Sequence, residues 1–224
     1  MKEAAGSQQM SALVVYESMY GNTDSIARAI AQGIENVMPV SVANVNHVST
    51  ASLLAIDLLV VGAPTHVHGL SRPNSRSAAI SSASAALPLD VDAIGTGVRE
   101  WLAGIETSAR YFAAFDTRVD MPRWMTGAAA PLISRLLRAR GLEAITTLND
   151  FLVTDETRLV STELTRAKQW GLDLALLASA RLSPPVVSGV WMKLGPTALV
   201  RTFFAPYSSA AFLVSPPRPC LAVT

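Results

Sequence analysis

Residues 14–23 read VVYESMYGNT, and this stretch decides the fold that the sequence predicts. The apolar run from Ala12 to Tyr16 predicts a short buried strand, and apolar side chains recur at helical spacing directly after the stretch. Between strand and helix lies a loop that contains Ser18, Gly21 and Thr23. The first N–H groups of a helix have no intrahelical partner, and the helix dipole adds partial positive charge there. The sequence therefore predicts an anion-binding loop that is suited to phosphate.

The rest of the chain alternates strands with helices up to about residue 181. Residues 57–62 (DLLVVG) are apolar throughout most of their length, as expected of a strand that helices cover on both faces of a parallel sheet. The other predicted strands span residues 37–45, 110–115 and 144–153. The predicted helices span residues 24–36, 50–56, 97–105, 127–140 and 160–181. This alternation predicts the α/β class, with ligands bound at the carboxyl ends of the strands.

Length and composition fit one such domain and exclude several classes of function. The chain has 224 residues, 50% of them hydrophobic, and a formal net charge of +1, which does not indicate a nucleic-acid partner. Cys220 is the only cysteine, so an intrachain disulfide and a cysteine-rich metal site are excluded. Residues 1–10 lack the apolar core of a signal peptide, and no run of about 18 residues is apolar enough to span a bilayer. We therefore expect a cytoplasmic protein with no membrane span.

Two segments depart from the alternation. Residues 63–93 are rich in Ser, Ala and Pro, and only residues 77–86 predict a helical turn or two. Loops of this length are usually functional or disordered. Residues 182–224 contain many prolines and scattered aromatics but neither helical nor strand periodicity. We therefore expect a domain at residues 11–181 and a Pro-rich, apolar, poorly ordered C-terminal extension at residues 182–224, for which a partner or membrane-surface role stays open.

Three motifs in this order resemble the flavodoxin family. Residues 14–23 resemble its signature after the first strand, residues 63–69 (APTHVHG) its second flavin loop, and residues 115–119 (FDTRV) the opening of its third. The resemblance covers roughly residues 11–179 and is strong because the three motifs occur in the expected order. The chain particularly resembles flavodoxin-domain proteins of actinobacteria. It implies a flavodoxin-like, doubly wound, five-stranded parallel sheet of order 2-1-3-4-5 with helices on both faces, and FMN as the cofactor.

The resemblance implies that the first loop binds the phosphate of FMN. The residues assigned to this role are Ser18, Met19, Tyr20, Gly21, Asn22 and Thr23. An alternative reading is that Ser18 and Thr23 only cap the helix. Tyr20 stands where many flavodoxins have Thr, so we expect one compact hydroxyl donor fewer around the phosphate.

The second and third loops are implied to contact the flavin ring. The second loop would line one side of the ring with Pro64, Thr65, His66, Val67, His68 and Gly69. His66 or His68 would stack on the ring or donate to it, although His68 is equally well read as a solvated loop residue. The third loop would bring backbone groups to the pyrimidine edge from Phe115, Asp116, Thr117, Arg118 and Val119. Trp124 is a candidate for stacking on the other face, with packing beneath the following helix as the alternative.

The charges of these loops differ from the carboxylate-rich surroundings of flavin in electron-transfer flavodoxins. The second and third loops contain Arg72, Arg76, Arg118 and Arg123 against Asp116 and Asp120. Because positive charge favours an anionic reduced flavin, we expect the bound flavin to be less strongly reducing than in an acidic flavodoxin. The same arginines would also suit an anionic substrate or partner, or form a solvated basic rim.

The resemblance therefore implies an FMN-binding redox protein that transfers electrons to a redox partner protein or to a small-molecule acceptor. Two alternatives stay open. One is an FMN-dependent NAD(P)H oxidoreductase of the quinone-reductase type, with a second pocket built from residues 63–93. The other is a flavin-less interaction module on the same fold.

Overall fold

The computed structural model describes residues 10–182 except Val67 and Ala86. Within this range lies one seven-stranded sheet. Its strands are β1 (Ala12–Tyr16), β2 (Val40–Asn44), β3 (Leu58–His66), β4 (Gly69–Leu70), β5 (Tyr111–Val119), β6 (Glu143–Ala144) and β7 (Asn149–Val153). The predicted extension lies outside the described residues apart from Leu182, so its predicted character stays a prediction.

The strand order confirms the predicted flavodoxin-like topology. Parallel pairs join β2 to β1, β1 to β3 and β3 to β5, and both β6 and β7 pair in parallel with β5. The short β4 pairs antiparallel with the end of β3. The single fifth strand predicted at residues 144–153 is therefore split in two. After β6, the Ile145 N–H donates to the Phe112 carbonyl and the Ile145 side chain is buried, and the chain rejoins β5 only at Asn149.

Helices cover both faces of the sheet, as predicted. They are α1 (Asn22–Ile34), α2 (Thr50–Leu53), α3 (Pro73–Ser81), α4 (Val98–Gly104), α5 (Arg123–Thr126), α6 (Ala130–Arg138) and α7 (Glu163–Leu182). One core lies between the sheet and helices α1 and α7, and the other between the sheet and helices α2, α4 and α6. These two apolar layers fix the direction in which the loops at the carboxyl ends of β1, β3 and β5 leave the sheet.

Helices α1 and α7 cross at a pair of glycines. A Cβ on Gly33 would lie 2.0 Å from the Lys168 carbonyl oxygen, and a Cβ on Gly171 would lie 2.0 Å from the Ile30 carbonyl oxygen. The two backbones therefore approach more closely than any side chain at these positions permits. This contact seats α1, and with it the loop at its N-terminus, against the sheet.

Two sequence-based boundaries are wrong at the carboxyl edge of the sheet. Strand β3 continues to His66 and is followed by β4 and α3, where residues 63–93 predicted an irregular stretch with a helix at residues 77–86. Strand β5 continues to Val119, where residues 116–125 predicted a loop. The reason is pairing across the sheet, because residues 116 and 117 of β5 pair with β3 and residues 115–119 pair with β7.

Candidate functional site

The loop that follows β1 and the carboxyl ends of β3 and β5 converge on one cleft of about 170 Å³. Ten residues assigned to the site from the sequence, together with Val119, line this cleft. They are Ser18, Met19, Tyr20, Asn22, Thr23, Pro64, Thr65, His66, Thr117, Arg118 and Val119. The cleft is completed by Val153 and Thr157, which sequence reasoning missed. A signal for them existed, because the loop after the last parallel strand leaves the sheet at the same edge as the other three.

The first loop folds back on itself and leaves the start of α1 open. The Ser18 hydroxyl accepts from the Gly21 N–H at 3.0 Å, and Gly21 has the left-handed φ of 83° that glycine adopts most readily. Gly21 is the N-cap of α1 and supplies no side chain, and no side-chain hydrogen bond caps this helix. The alternative reading, in which Ser18 and Thr23 only cap the helix, is therefore wrong.

Two contacts tie α1 to the far wall of the cleft. The Thr23 hydroxyl lies 2.8 Å from the Thr117 hydroxyl, and both residues are buried. The Asn22 side chain donates to the Thr157 carbonyl at 2.7 Å. The first turn of α1 is thus joined to β5 and to the loop after β7.

The Tyr20 hydroxyl is directed to α3. It donates to the Ala79 carbonyl on α3 at 2.8 Å, and burial raises the pKa of this phenol. The ring still lines the cleft. The hydroxyl is thus engaged by α3, and the expectation of one hydroxyl donor fewer around a phosphate stays a prediction.

The second loop is a tight hairpin between β3 and β4. His66 pairs with Gly69 across it, and His68 has a positive φ of 68° at its tip. Burial, aided by the positive charge of Arg76, lowers the pKa of His66, so its imidazole is neutral at neutral pH. His68 and Gly69 lie outside the cleft and line a neighbouring cavity. Val67 is not among the described residues.

Phe115 and Asp116 lie in the third loop region but not in the cleft. Phe115 is buried in the core, edge-on to Phe151 at 5.8 Å and to Trp170 at 6.2 Å. The Asp116 carboxylate accepts from the Ala130 N–H at 2.8 Å, so it caps α6. Its other oxygen has no partner among the described residues.

The environment of Asp116 favours its neutral form. Burial is the main cause and, with help from the negative charge of Asp150, raises the pKa of Asp116 to about 6. Hydrogen bonds from the backbone at the start of α6 act in the opposite direction but do not outweigh burial. Ionisation of the Asp116 carboxyl, near the end of β5, is therefore less favourable than that of an exposed aspartate.

Trp124 lies on α5 with 81% of its surface exposed. This exposure excludes the alternative reading, in which the ring packs beneath the following helix. Trp124 does not line the cleft, so stacking on a bound ring stays a prediction.

The basic rim expected from the sequence is mostly neutralised. Arg118 and Arg123 both donate to Asp150 at 2.6 Å, and the buried Arg76 pairs with Glu100 at 3.1 Å. Burial opposes the ionisation of Asp150, but the two guanidinium groups outweigh it and lower the pKa of this carboxyl. This pairing is not predicted from the sequence, because Asp150 is separated from Arg118 by 32 positions.

A buried glutamate closes the start of another helix at this edge. The Glu17 carboxylate accepts from the Val98 N–H at 2.8 Å, at the first residue of α4. Burial raises the pKa of Glu17, although the Ser71 hydroxyl and the Val98 N–H act in the opposite direction. Of three helices that begin near the cleft, α4 and α6 thus have carboxylates on their first N–H groups, whereas α1 has none.

A larger cavity of about 1010 Å³ lies beside the cleft and shares His66 with it. Its lining comes from the β3–β4 hairpin, α3, α4 and α6. The lining residues are His66, His68, Gly69, Leu70, Arg72, Asn74, Ser75, Arg99, Ala128, Pro131, Leu132 and Arg135.

The described residues contain no group of three or more His, Cys, Asp or Glu side chains placed to hold a metal ion. Over the same residues, no helix is both long and apolar enough to cross a membrane.

Comparisons with known proteins agree with the topology. The family model described as flavodoxin matches residues 14–110. A flavodoxin from the domain Archaea is similar in structure with a TM-score of 0.53 at 22% identity, covering 76% of this chain and 99% of its own. A flavodoxin of Streptococcus pneumoniae TIGR4 has a TM-score of 0.50 at 18% identity, covering 74% of this chain and 98% of its own.

A longer protein contains the same fold over part of its chain. Rubredoxin oxygen:oxidoreductase from Desulfovibrio gigas has a TM-score of 0.52 at 15% identity, covering 79% of this chain but only 38% of its own. No curated protein matches the chain. The strand order and the structural similarities together show that this chain has a flavodoxin-like fold, and its residues 14–110 match the flavodoxin family model.

Proposed function

We propose that the cleft binds FMN and that the protein is a redox flavoprotein that transfers electrons through the bound flavin. The observation that carries this proposal is the open N-terminus of α1. Among the described residues, no side chain accepts from the N–H groups of Asn22, Thr23 or Asp24, while carboxylates occupy the corresponding groups of α4 and α6. An uncapped helix start between hydroxyl side chains is suited to a phosphate.

The residues present fit the phosphate end of FMN. Ser18 and Thr23 place hydroxyl groups in the cleft, and the left-handed Gly21 leaves open space where a side chain would stand. The cleft, at about 170 Å³, is smaller than the roughly 300–1,000 Å³ of pockets that bury a whole ligand. We therefore expect the cleft to enclose only part of the nucleotide, with the flavin ring at its mouth beside Tyr20 and His66.

FMN, when bound, supplies one- or two-electron transfer chemistry, and the protein supplies position and electrostatics. The chain's own contribution is threefold. The start of α1 holds the phosphate, His66 presents a neutral imidazole, and Asp150 compensates the charges of Arg118 and Arg123. The proposed partner is a redox protein or a small-molecule electron acceptor, and a cytoplasmic location stays a prediction.

A second candidate function is an FMN-dependent NAD(P)H oxidoreductase. The observation that favours it is the cavity of about 1010 Å³ that shares His66 with the cleft, because a reductase needs room for a second substrate. Steady-state oxidation of NADPH with a quinone would support the reductase. Reduction by a partner protein alone would support the carrier.

Titration of the flavin-free protein with FMN and with riboflavin tests the proposal. Riboflavin lacks the phosphate, so we expect it to bind at least about tenfold more weakly, as the loss of one or more charged hydrogen bonds predicts. Equal affinities would contradict the phosphate role of the first loop. A colourless protein that binds neither compound would leave the flavin-less interaction module as the better account.

A further inference from the structure

The charged side chains that line the large cavity beside the cleft are arginines. Arg72, Arg99 and Arg135 line it, and among the described residues no acidic side chain does. Arg99 is held in place, because its guanidinium donates to the Leu70 carbonyl at 2.9 Å and to the Ser71 carbonyl at 3.1 Å. A fixed cation therefore faces the cavity from α4.

The other two arginines of the cavity lack carboxylate partners. Within the described part of the chain, no Asp or Glu lies within ion-pair distance of Arg72 or Arg135, and both residues are exposed. By contrast, Arg76, Arg118 and Arg123 all pair with carboxylates. The arginines around the site thus fall into two sets, and the set without carboxylates lines the cavity.

Part of the remaining lining is apolar. Leu70 of β4, Ala128 just before α6, and Pro131 and Leu132 of α6 face the cavity. A ligand that fits both parts has an apolar body and an anionic group. Guanidinium groups bind carboxylate, sulfonate and phosphate oxygens through paired hydrogen bonds, and a concave basic surface concentrates anions.

We propose that this cavity binds an organic anion, an apolar ring compound that bears carboxylate, sulfonate or phosphate groups. Arg72, Arg99 and Arg135 contact the anionic groups, and the ring body packs against Leu132 and Pro131. Because His66 lines both spaces, such a ligand lies next to the cleft. Its role as a redox substrate rests on the proposed flavin function, whereas its binding does not.

Isothermal titration calorimetry with anthraquinone-2,6-disulfonate tests the proposal on the full chain, with and without FMN. We expect Arg72→Gln and Arg135→Gln each to weaken binding, and the double variant to weaken it by at least about tenfold, as loss of charged hydrogen bonds predicts. Lys168→Gln is the matched control, since Lys168 is an exposed cation on α7 that does not line the cavity. It should bind as the unaltered protein does.

The outcomes separate this proposal from the proposed function. Absence of binding, equal weakening by Lys168→Gln, or displacement of the probe by FMN would overturn the anion cavity. Arginine-dependent binding of the probe in a protein that does not bind FMN would support the cavity and contradict the flavin function. Because Arg72 and Arg135 are exposed, unchanged thermal unfolding of the variants confirms that they fold.

Discussion

The hydroxyl groups of Thr23 and Thr117 lie 2.8 Å apart, although 94 positions separate the two residues along the chain. Thr23 belongs to the first turn of α1, and Thr117 lies near the end of β5. Their contact joins the first and third loops across the floor of the cleft. Since both side chains are buried, each hydroxyl depends on the other for a hydrogen-bond partner within the described residues.

A double-mutant cycle measures this contact. Thr23→Val and Thr117→Val each leave one buried hydroxyl without its partner, so we expect each to lower the free energy of unfolding by about 1–2 kcal/mol. The double variant removes both groups and should cost less than the sum, with a coupling of about 0.5–1.5 kcal/mol. Additive losses in denaturant unfolding would show that the two hydroxyls do not support each other.

The pKa of Asp116 predicts a pH dependence of stability. Burial raises this pKa to about 6 from the ordinary aspartate value of 3.8. Between these values the folded state binds more protons than the unfolded state, so the contribution of Asp116 to stability is full below about pH 4 and is lost as the pH rises through 6. Asp116→Asn keeps an acceptor for the Ala130 N–H and removes the ionisation.

The measurement is the difference in unfolding free energy between Asp116→Asn and the unaltered protein at pH 4.5 and pH 8. We expect the variant to gain about 1–3 kcal/mol relative to the unaltered protein over this range. Asp120→Asn is the control, because Asp120 is an exposed carboxyl on the following turn. A difference that stays constant with pH would contradict the assigned environment of Asp116.

The crossing of α1 and α7 predicts that Gly33 and Gly171 tolerate no side chain. In Gly171→Ala, the new methyl group would stand 2.0 Å from the Ile30 carbonyl oxygen, so the helices must separate. Overpacking of this kind costs about 1–3 kcal/mol in the free energy of unfolding. Gly104→Ala, where nothing lies within 4 Å of the new atom, should be neutral or stabilising. Equal effects at the two positions would refute the close approach.

The pairing of Asp150 with two arginines predicts a change in the reduction potential of bound FMN. Asp150→Asn leaves Arg118 and Arg123 uncompensated near the cleft, and positive charge favours the anionic reduced flavin. Redox titration should therefore show a higher potential in the variant. Glu143→Gln removes an arginine partner near the other end of β5 and should leave the potential unchanged. An unchanged or lower potential in Asp150→Asn would contradict this charge balance.

The sequence predicts the sheet because the patterns that indicate its strands lie within short stretches of the chain. The apolar run at residues 12–16, followed by a Ser–Gly–Thr loop, predicts β1 and the start of α1 almost to the residue. Boundaries fail where pairing with distant strands decides them. The end of β5 forms a strand only because β3 and β7 lie on either side of it.

The roles of individual site residues are harder to predict than their place in the fold. Asp116 and Thr117 are neighbours in one motif, yet alternation along the strand points Thr117 into the cleft and Asp116 towards α6. Likewise, the carboxylate partner of Arg118 does not come from its own loop, because Asp150 belongs to β7. These assignments depend on contacts between distant residues, and one sequence contains no signal for them.

The most direct test of the account is the affinity for FMN of Ser18→Ala combined with Thr23→Ala, measured by quenching of flavin fluorescence. We expect the double variant to bind FMN at least about tenfold more weakly, as the loss of charged hydrogen bonds predicts. Ser25→Ala is the matched control, because its hydroxyl bonds the Gly21 carbonyl and does not line the cleft. Unchanged FMN affinity in the double variant, or no binding by the unaltered protein, would contradict the phosphate site at the start of α1.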